Sequence, residues 1–167
     1  MLSRCSSVDR SLPIVTGSGR CCAAVVSGAV GAAIGEGYTA GEANTAVSRN
    51  PDISGDIFKN MLVGQAVAQT PSVFGLLISF VLMFRSFPES TALSASVGLL
   101  SAGLCMGLGG IGPGIGNGMT AEGAVRWVAR RADYAGDLMR IMLVGQAVSQ
   151  STAIYAMVVS LVLIFVV

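Results

Sequence analysis

The sequence predicts an all-α membrane protein of two tandem transmembrane helical hairpins, and three observations carry that expectation. Four long stretches are almost free of charge: residues 61–84, 90–121 and 141–167 have none, and residues 21–41 have one, Glu36. Each exceeds the ~20 residues a helix needs to cross a bilayer core. The second half of the chain repeats the first at a fixed offset. Finally, 53 % of the 167 residues are hydrophobic and only 11 % are charged, a membrane composition.

Residues 1–20 carry Arg4, Arg10 and Arg20, five serines and a single acid, Asp9. This composition reads as a short polar tail, or alternatively as an organellar targeting segment. Hairpin 1 is expected over 21–84. Arg49-Asn50-Pro51-Asp52 interrupts it, because proline cannot continue a helix and Asn and Asp favour turns, which places the loop near 49–55. A linker over 85–90 contains Pro88. Hairpin 2 follows over 91–167, with Arg130-Arg131-Ala132-Asp133 opening a loop near 130–136.

The repeat is unusually plain. The nine residues 61–69 recur at 142–150 with one difference, Ala68 against Ser149, an offset of 81. The same offset carries Gly35 to Gly116, Arg49 to Arg130 and Phe84 to Phe165. Two spans per unit return the chain to its starting side, so the repeats are parallel, unlike the inverted repeats of many transporters. Of the ten basic residues, six lie on the hairpin-loop side and four on the other, an excess that orients the loops toward the cytoplasm.

The first span of each unit is rich in glycine. Gly28, Gly31, Gly35 and Gly37 fall in one, and the run from Gly107 to Gly118, with Pro113 inside it, falls in the other. Small residues let membrane helices approach closely, and glycine on several sides implies neighbours on several sides. This suits the inner layer of a two-layered oligomeric ring. The second spans carry Leu76-Leu77-Ile78 and Val158-Val159 without glycine runs and would form an outer, lipid-facing layer.

Composition excludes several functions. A net charge of +1 leaves no nucleic-acid footprint, and no histidine is present. Cys5, Cys21, Cys22 and Cys105 have no spacing suited to zinc or redox chemistry and read as small packing residues. No ATP-hydrolysing site and no cofactor are expected in this chain. A charge at mid-membrane depth costs on the order of 3 kcal/mol, so Glu36 marks the candidate site. Glu36 and Gln69 are equidistant from the Pro51-Asp52 turn, each about 25 Å from the loop tip at helical rise. Asn117 and Gln150 repeat that geometry without an acid, as a degenerate second site. Thr70 and Ser151 follow the two glutamines. Oxygen-rich groups of this kind suit a hard monovalent cation; a proton would also neutralise Glu36.

The segment Gly109-Gly110-Ile111-Gly112-Pro113-Gly114-Ile115-Gly116-Asn117-Gly118 resembles the inner-helix signature of the rotor-ring c subunit, or proteolipid, of F-type ATP synthases. Arg49-Asn50-Pro51 is similar to its polar loop, and residues 144–155 are similar to its outer helix. A four-span chain with one acid also resembles the V-type proteolipid. The F-type family usually places its carboxylate on the outer helix, where this chain has Gln69 and Gln150, and sodium-binding members usually have Gln on the inner helix, where it has Glu36 and Asn117. The resemblance implies an ion site of Glu36, Gln69, Thr70 and the Val67 carbonyl, with Val148, Ser151 and Tyr155 matching the hydroxyl-and-carbonyl side in the other hairpin. It leaves open which facing hairpin completes the site. The neutral oxygens around the acid favour Na+ over H+ as the transported ion.

The resemblance further implies a homo- or hetero-oligomeric c-ring in contact with the a-subunit of the stator, central-stalk subunits and membrane lipid. Arg49, Asn50, Pro51, Arg130 and Arg131 would contact the stalk. One acid per four spans would favour ATP-driven pumping over synthesis. A bacterial inner membrane is the expected location, ahead of the mitochondrial one. The competing expectations are a V-type proteolipid, a small proton-coupled secondary transporter and a purely structural membrane proteolipid.

Overall fold

The computed structural model describes residues 11–84 and 93–166, and all of them lie in helices or the short turns between them. Helix α1 spans Ser11–Arg49, α2 Ser54–Ala68, α3 Thr70–Phe84, α4 Leu93–Arg130 and α5 Ala135–Val166. The sequence-expected tail lies outside the described residues over 1–10, as does the linker over 85–90. Residues 11–20, also read above as tail or targeting segment, are helical and continuous with the first span. Three described stretches are long and apolar enough to cross a membrane: Pro51–Phe84, Val97–Arg130 and Ala132–Val166. Helix α1, with 39 residues, lies alongside α4 and shares its depth.

Both hairpins turn in one way. Asn50 leaves the helical region at φ −137°, ψ 81°, and a single 3-10 turn over Pro51–Ile53 leads into α2. Arg131 adopts φ −144°, ψ 85° before the 3-10 turn Ala132–Tyr134. The second turn lacks the proline, so proline is not what shapes it. The Asn50 side chain ties the two loops together, donating from Nδ2 to the Ala129 carbonyl at 2.7 Å.

Proline does decide the outer helices. Pro71 has no N–H to give the carbonyl four residues back, so the ladder of hairpin 1 breaks and α2 and α3 meet at Gln69. The Gln69 carbonyl instead accepts from the amides of Ser72 and Val73, at 3.0 and 3.4 Å. The equivalent of Pro71 in the second unit is Thr152, and α5 runs unbroken.

The two glycine-rich helices, α1 and α4, form the most extensive contact in the chain. A methyl group on Gly31 would fall 2.6 Å from the Ile111 Cα, and one on Gly114 would fall 2.7 Å from the Ala32 nitrogen. Gly35 and Gly118 likewise face each other with no room for a side chain. Buried Thr39 shares its hydroxyl proton across the seam, with its own helix at Gly35 O (3.0 Å) and with Gly118 O on α4 (3.1 Å). Helix α4 is crowded on other sides too: Gly110 sits against Pro71, and Gly116 has Ser149 Oγ 3.0 Å from where its Cβ would be. The outer α3 and α5 expose Leu76, Leu77, Val158 and Val159, whereas Ile78 turns inward into a cluster with Leu99, Met106 and Ile164.

Replacing Gly35 with valine should force the seam apart and lower unfolding stability in detergent by roughly 1–3 kcal/mol, the usual cost of overpacking. Gly41→Ala, at a position with nothing within 4 Å, should leave it unchanged in the same denaturation series.

Candidate ion site between the helices of each hairpin

The carboxylates sort by depth. Glu42 and Glu122 both pair with Arg126, at 3.1 and 2.6 Å, toward the loop ends of α1 and α4. Asp56 pairs with Lys59 and Asp137 with Arg140 near the turns. Asp52 and Asp133 lie within the turns themselves. Glu36 is different: it sits half-buried in mid-helix, and no described basic group forms an ion pair with it.

The sequence-derived polar pairs differ between hairpins. In hairpin 2, Asn117 Nδ2 donates to Gln150 Oε1 at 2.7 Å, so these two residues do face each other at equal depth. In hairpin 1 no hydrogen bond joins Glu36 and Gln69; Gln69 is exposed at the α2–α3 break. The residue that reaches across is Gln65, whose Nε2 donates to the Glu36 main-chain carbonyl at 3.2 Å. Its equivalent, Gln146, does the same to the Asn117 carbonyl at 3.0 Å. Gln146 also donates to the Gly64 carbonyl at 3.2 Å, which bonds α5 to the outer helix of the first hairpin.

Sequence reasoning missed both glutamines, though the signal was present. Gln65 and Gln146 are related by the same offset of 81, one turn before the glutamines it singled out. Their reach depends on how the helices face each other, which spacing alone does not give.

The other expected ligands are placed as follows. The Val67 carbonyl is the one that Pro71 leaves without its usual amide donor; the Gln69 amide at the helix break lies against it instead. Thr70 is half-buried, its hydroxyl 3.5 Å from the Ala66 carbonyl. Ser151 donates to the Val148 carbonyl at 2.7 Å, while the side chains of Val148 and Tyr155 are exposed on the outer face. Ser151, Val148 and Tyr155 thus lie in the other hairpin, with no hydrogen bond to Glu36. Arg49, Asn50, Pro51, Arg130 and Arg131 are all exposed at the loop end, and Arg130 lies over Trp127, 5.1 Å from the ring centre.

Hairpin 2 holds an uncharged polar cluster. Asn117 and Gln146 are fully buried, and within the chain Asn117 Oδ1, Gln146 Oε1 and Gln150 Nε2 have no hydrogen-bond partner.

Helices of this length, glycine-packed and joined by short polar turns around intramembrane amides and one acid, define a membrane proteolipid built from two helical hairpins. The chain belongs to the family of ATP synthase c subunits, whose pattern matches twice, over residues 20–82 and 100–163. Similar proteins include the ATP synthase c subunit of Alkaliphilus oremlandii, 46 % identical over 66 residues that make up 40 % of this chain and 74 % of that protein. That of Dehalococcoides mccartyi is 48 % identical over 68 residues, 41 % of this chain and 90 % of the relative. That of Prochlorococcus marinus is 40 % identical over 74 residues, 44 % of this chain and 91 % of the relative. Each relative therefore matches less than half of this chain along most of its own length, as expected for a duplicated hairpin.

Asn117→Leu should cost about 1–3 kcal/mol in detergent denaturation, because it leaves the Gln150 amide buried without its partner. Adding Gln150→Leu should recover part of that loss, and the double-mutant cycle measures the coupling.

Proposed function

We propose that this chain is an ion-translocating rotor-ring subunit of a rotary, F-type-like ATP synthase or ATPase, and that Glu36 carries the ion. The observation that supports this reading most is the isolation of Glu36: an acid in mid-helix, away from every described cation, while the other described carboxylates lie toward the loops. An intramembrane acid without a fixed counter-ion must be neutralised by something that can leave again. A loaded site is neutral and tolerates lipid; an unloaded one is held where water or a stator cation can face it.

The ion is Na+ on this reading, with H+ as the alternative. The Val67 carbonyl, which lacks its regular helical donor, supports it, together with the Thr70 hydroxyl and the amide of Gln69, because hard cations take oxygen ligands. Asn117 and Gln150 keep hairpin 2 uncharged, so that hairpin passes through lipid without a load. Several copies, alone or with other c subunits, form the ring. The a-subunit of the stator supplies the cation that discharges Glu36, and the exposed loop residues Arg49, Asn50, Pro51, Arg130 and Arg131 meet the central stalk. One acid per four helices carries fewer ions per turn than rings of single hairpins, which favours ATP-driven pumping. The bacterial relatives support a bacterial plasma membrane as the location.

The carbodiimide DCCD should modify Glu36, and sodium should protect it; Glu36→Gln should abolish both the labelling and ion movement by the complex. Labelling indifferent to sodium would leave the proton reading, and labelling elsewhere with ion movement intact in Glu36→Gln would end the carrier role. Pro71→Thr, which restores an amide donor to the Val67 carbonyl, should weaken sodium protection by about tenfold, the worth of one ligand at ~1.4 kcal/mol.

A further inference from the structure

Hairpin 2 buries an amide cluster whose hydrogen bonds do not close within the chain. Gln146 and Gln150 stand one turn apart on α5 and both reach Asn117 on α4. Gln146 spends its Nε2 on two carbonyls, those of Asn117 at 3.0 Å and Gly64 at 3.2 Å. The Asn117 carbonyl is taken twice, by Gln146 and by the Thr120 hydroxyl at 2.8 Å. The Asn117 side chain spends Nδ2 on Gln150 Oε1 at 2.7 Å. Asn117 Oδ1, Gln146 Oε1 and Gln150 Nε2 are left over, and all three are closed off from solvent. The other atom of this kind among the described residues, Asn60 Oδ1, lies near the turn of hairpin 1.

The remainder is two acceptors and one donor, and turning the amides about does not remove it. If O and N change places in both Asn117 and Gln150, their mutual bond survives. Asn117 Nδ2 and Gln150 Oε1 are then left over instead, which with Gln146 Oε1 again makes one donor and two acceptors. Turning only one of that pair sets like against like. Turning Gln146 would set its oxygen against two carbonyls and lose both bonds. The cluster therefore lacks one group that donates twice and accepts once.

Water is such a group, and a buried water makes about three hydrogen bonds on average. Leaving buried polar atoms unmade costs more than holding a water still. A cation fits worse. It takes oxygen ligands only, whereas an N–H donor faces the same space, and the three side chains include no acid to balance its charge at lipid depth. A side chain from another molecule does not reach atoms that the chain itself encloses.

We infer that hairpin 2 binds one ordered water among Asn117, Gln146 and Gln150, which donates to Asn117 Oδ1 and Gln146 Oε1 and accepts from Gln150 Nε2. The water joins α4 to α5 at the position that corresponds to Glu36 in hairpin 1. It steadies Gln146, whose bond to the Gly64 carbonyl holds α5 against hairpin 1, next to the Gln65 that bonds the Glu36 carbonyl. One unit of the duplicated chain is thus hydrated where the other is charged, and its two open oxygens are closed to sodium. The water stands on the hydrogen-bond count of hairpin 2, whichever ion Glu36 carries.

The test is a crystallographic map of the full-length protein, prepared in sodium and again in thallium(I), at a resolution that shows ordered water. One peak should lie about 2.7–3.2 Å from each of the three side-chain amides. It should be equally high in both maps and give no anomalous signal in thallium. Anomalous signal there would make the site a cation site and overturn the proposal. So would a map without the peak, in which Gln150 Nε2 reaches Asn117 Oδ1 directly. The double variant Asn117→Leu/Gln150→Leu removes two of the three partners and should lose the peak; a peak that persists would mean that other groups hold it. In lipid bilayers, solid-state NMR of protein labelled with 15N-glutamine should show direct magnetisation transfer from water to Gln150 Nε2. Transfer to exposed Gln69 but none to Gln150 would also end the proposal.

Discussion

Everything in this molecule is arranged around the near-contact of two backbones. At the α1–α4 seam, Gly31, Gly35, Gly114 and Gly118 bring main chain against main chain, and the Thr39 hydroxyl makes a directed bond across it. Between helices in lipid there is no hydrophobic gain from burying an apolar face, so association depends on close packing and on hydrogen bonds across the interface. Both are present here, and they come from the smallest residue and one of the smallest hydroxyl side chains. Once α1 and α4 are this close, the outer helix of hairpin 1 must lie against both, which is why Pro71 touches Gly110 of α4 as well as Gly28 of α1.

The two hairpins share a geometry and have diverged in chemistry. Gln65 and Gln146 make the same bond to the carbonyl of the inner-helix polar residue. On that common frame the first unit has an acid where the second has Asn117, and a proline where the second has Thr152. On the proposed function these two changes act together, since a cation carried by the acid would take oxygen partners, and the proline strips one main-chain carbonyl of its usual donor. In the second unit the amide pair makes one bond across the hairpin, from Asn117 Nδ2 to Gln150 Oε1, and the outer helix stays whole. On the proposed function, one unit loads and the other is a neutral spacer.

Charge is graded along the helices. The described ion pairs lie toward the turns, where Arg126 bridges Glu42 and Glu122 and links α1 to α4. Exposed pairs of this sort contribute little to stability.

Much of this was legible in the sequence. Hydropathy located the spans, the offset of 81 identified the duplication, and the glycine content marked the helices that pack closely. These features are local or periodic, so a linear pattern carries them. The lone acid and the Asn117/Gln150 pairing were also legible, because an antiparallel hairpin fixes depth by distance from its turn. What only the tertiary structure decided was orientation about each helix axis: that Gln65, not Gln69, reaches the Glu36 carbonyl, and that Gln146 reaches both hairpins at once. A residue's distance from a turn fixes its height. Which way it faces depends on how deeply neighbouring backbones interlock, and on a helix break whose consequence appears only when the freed carbonyl is seen in place.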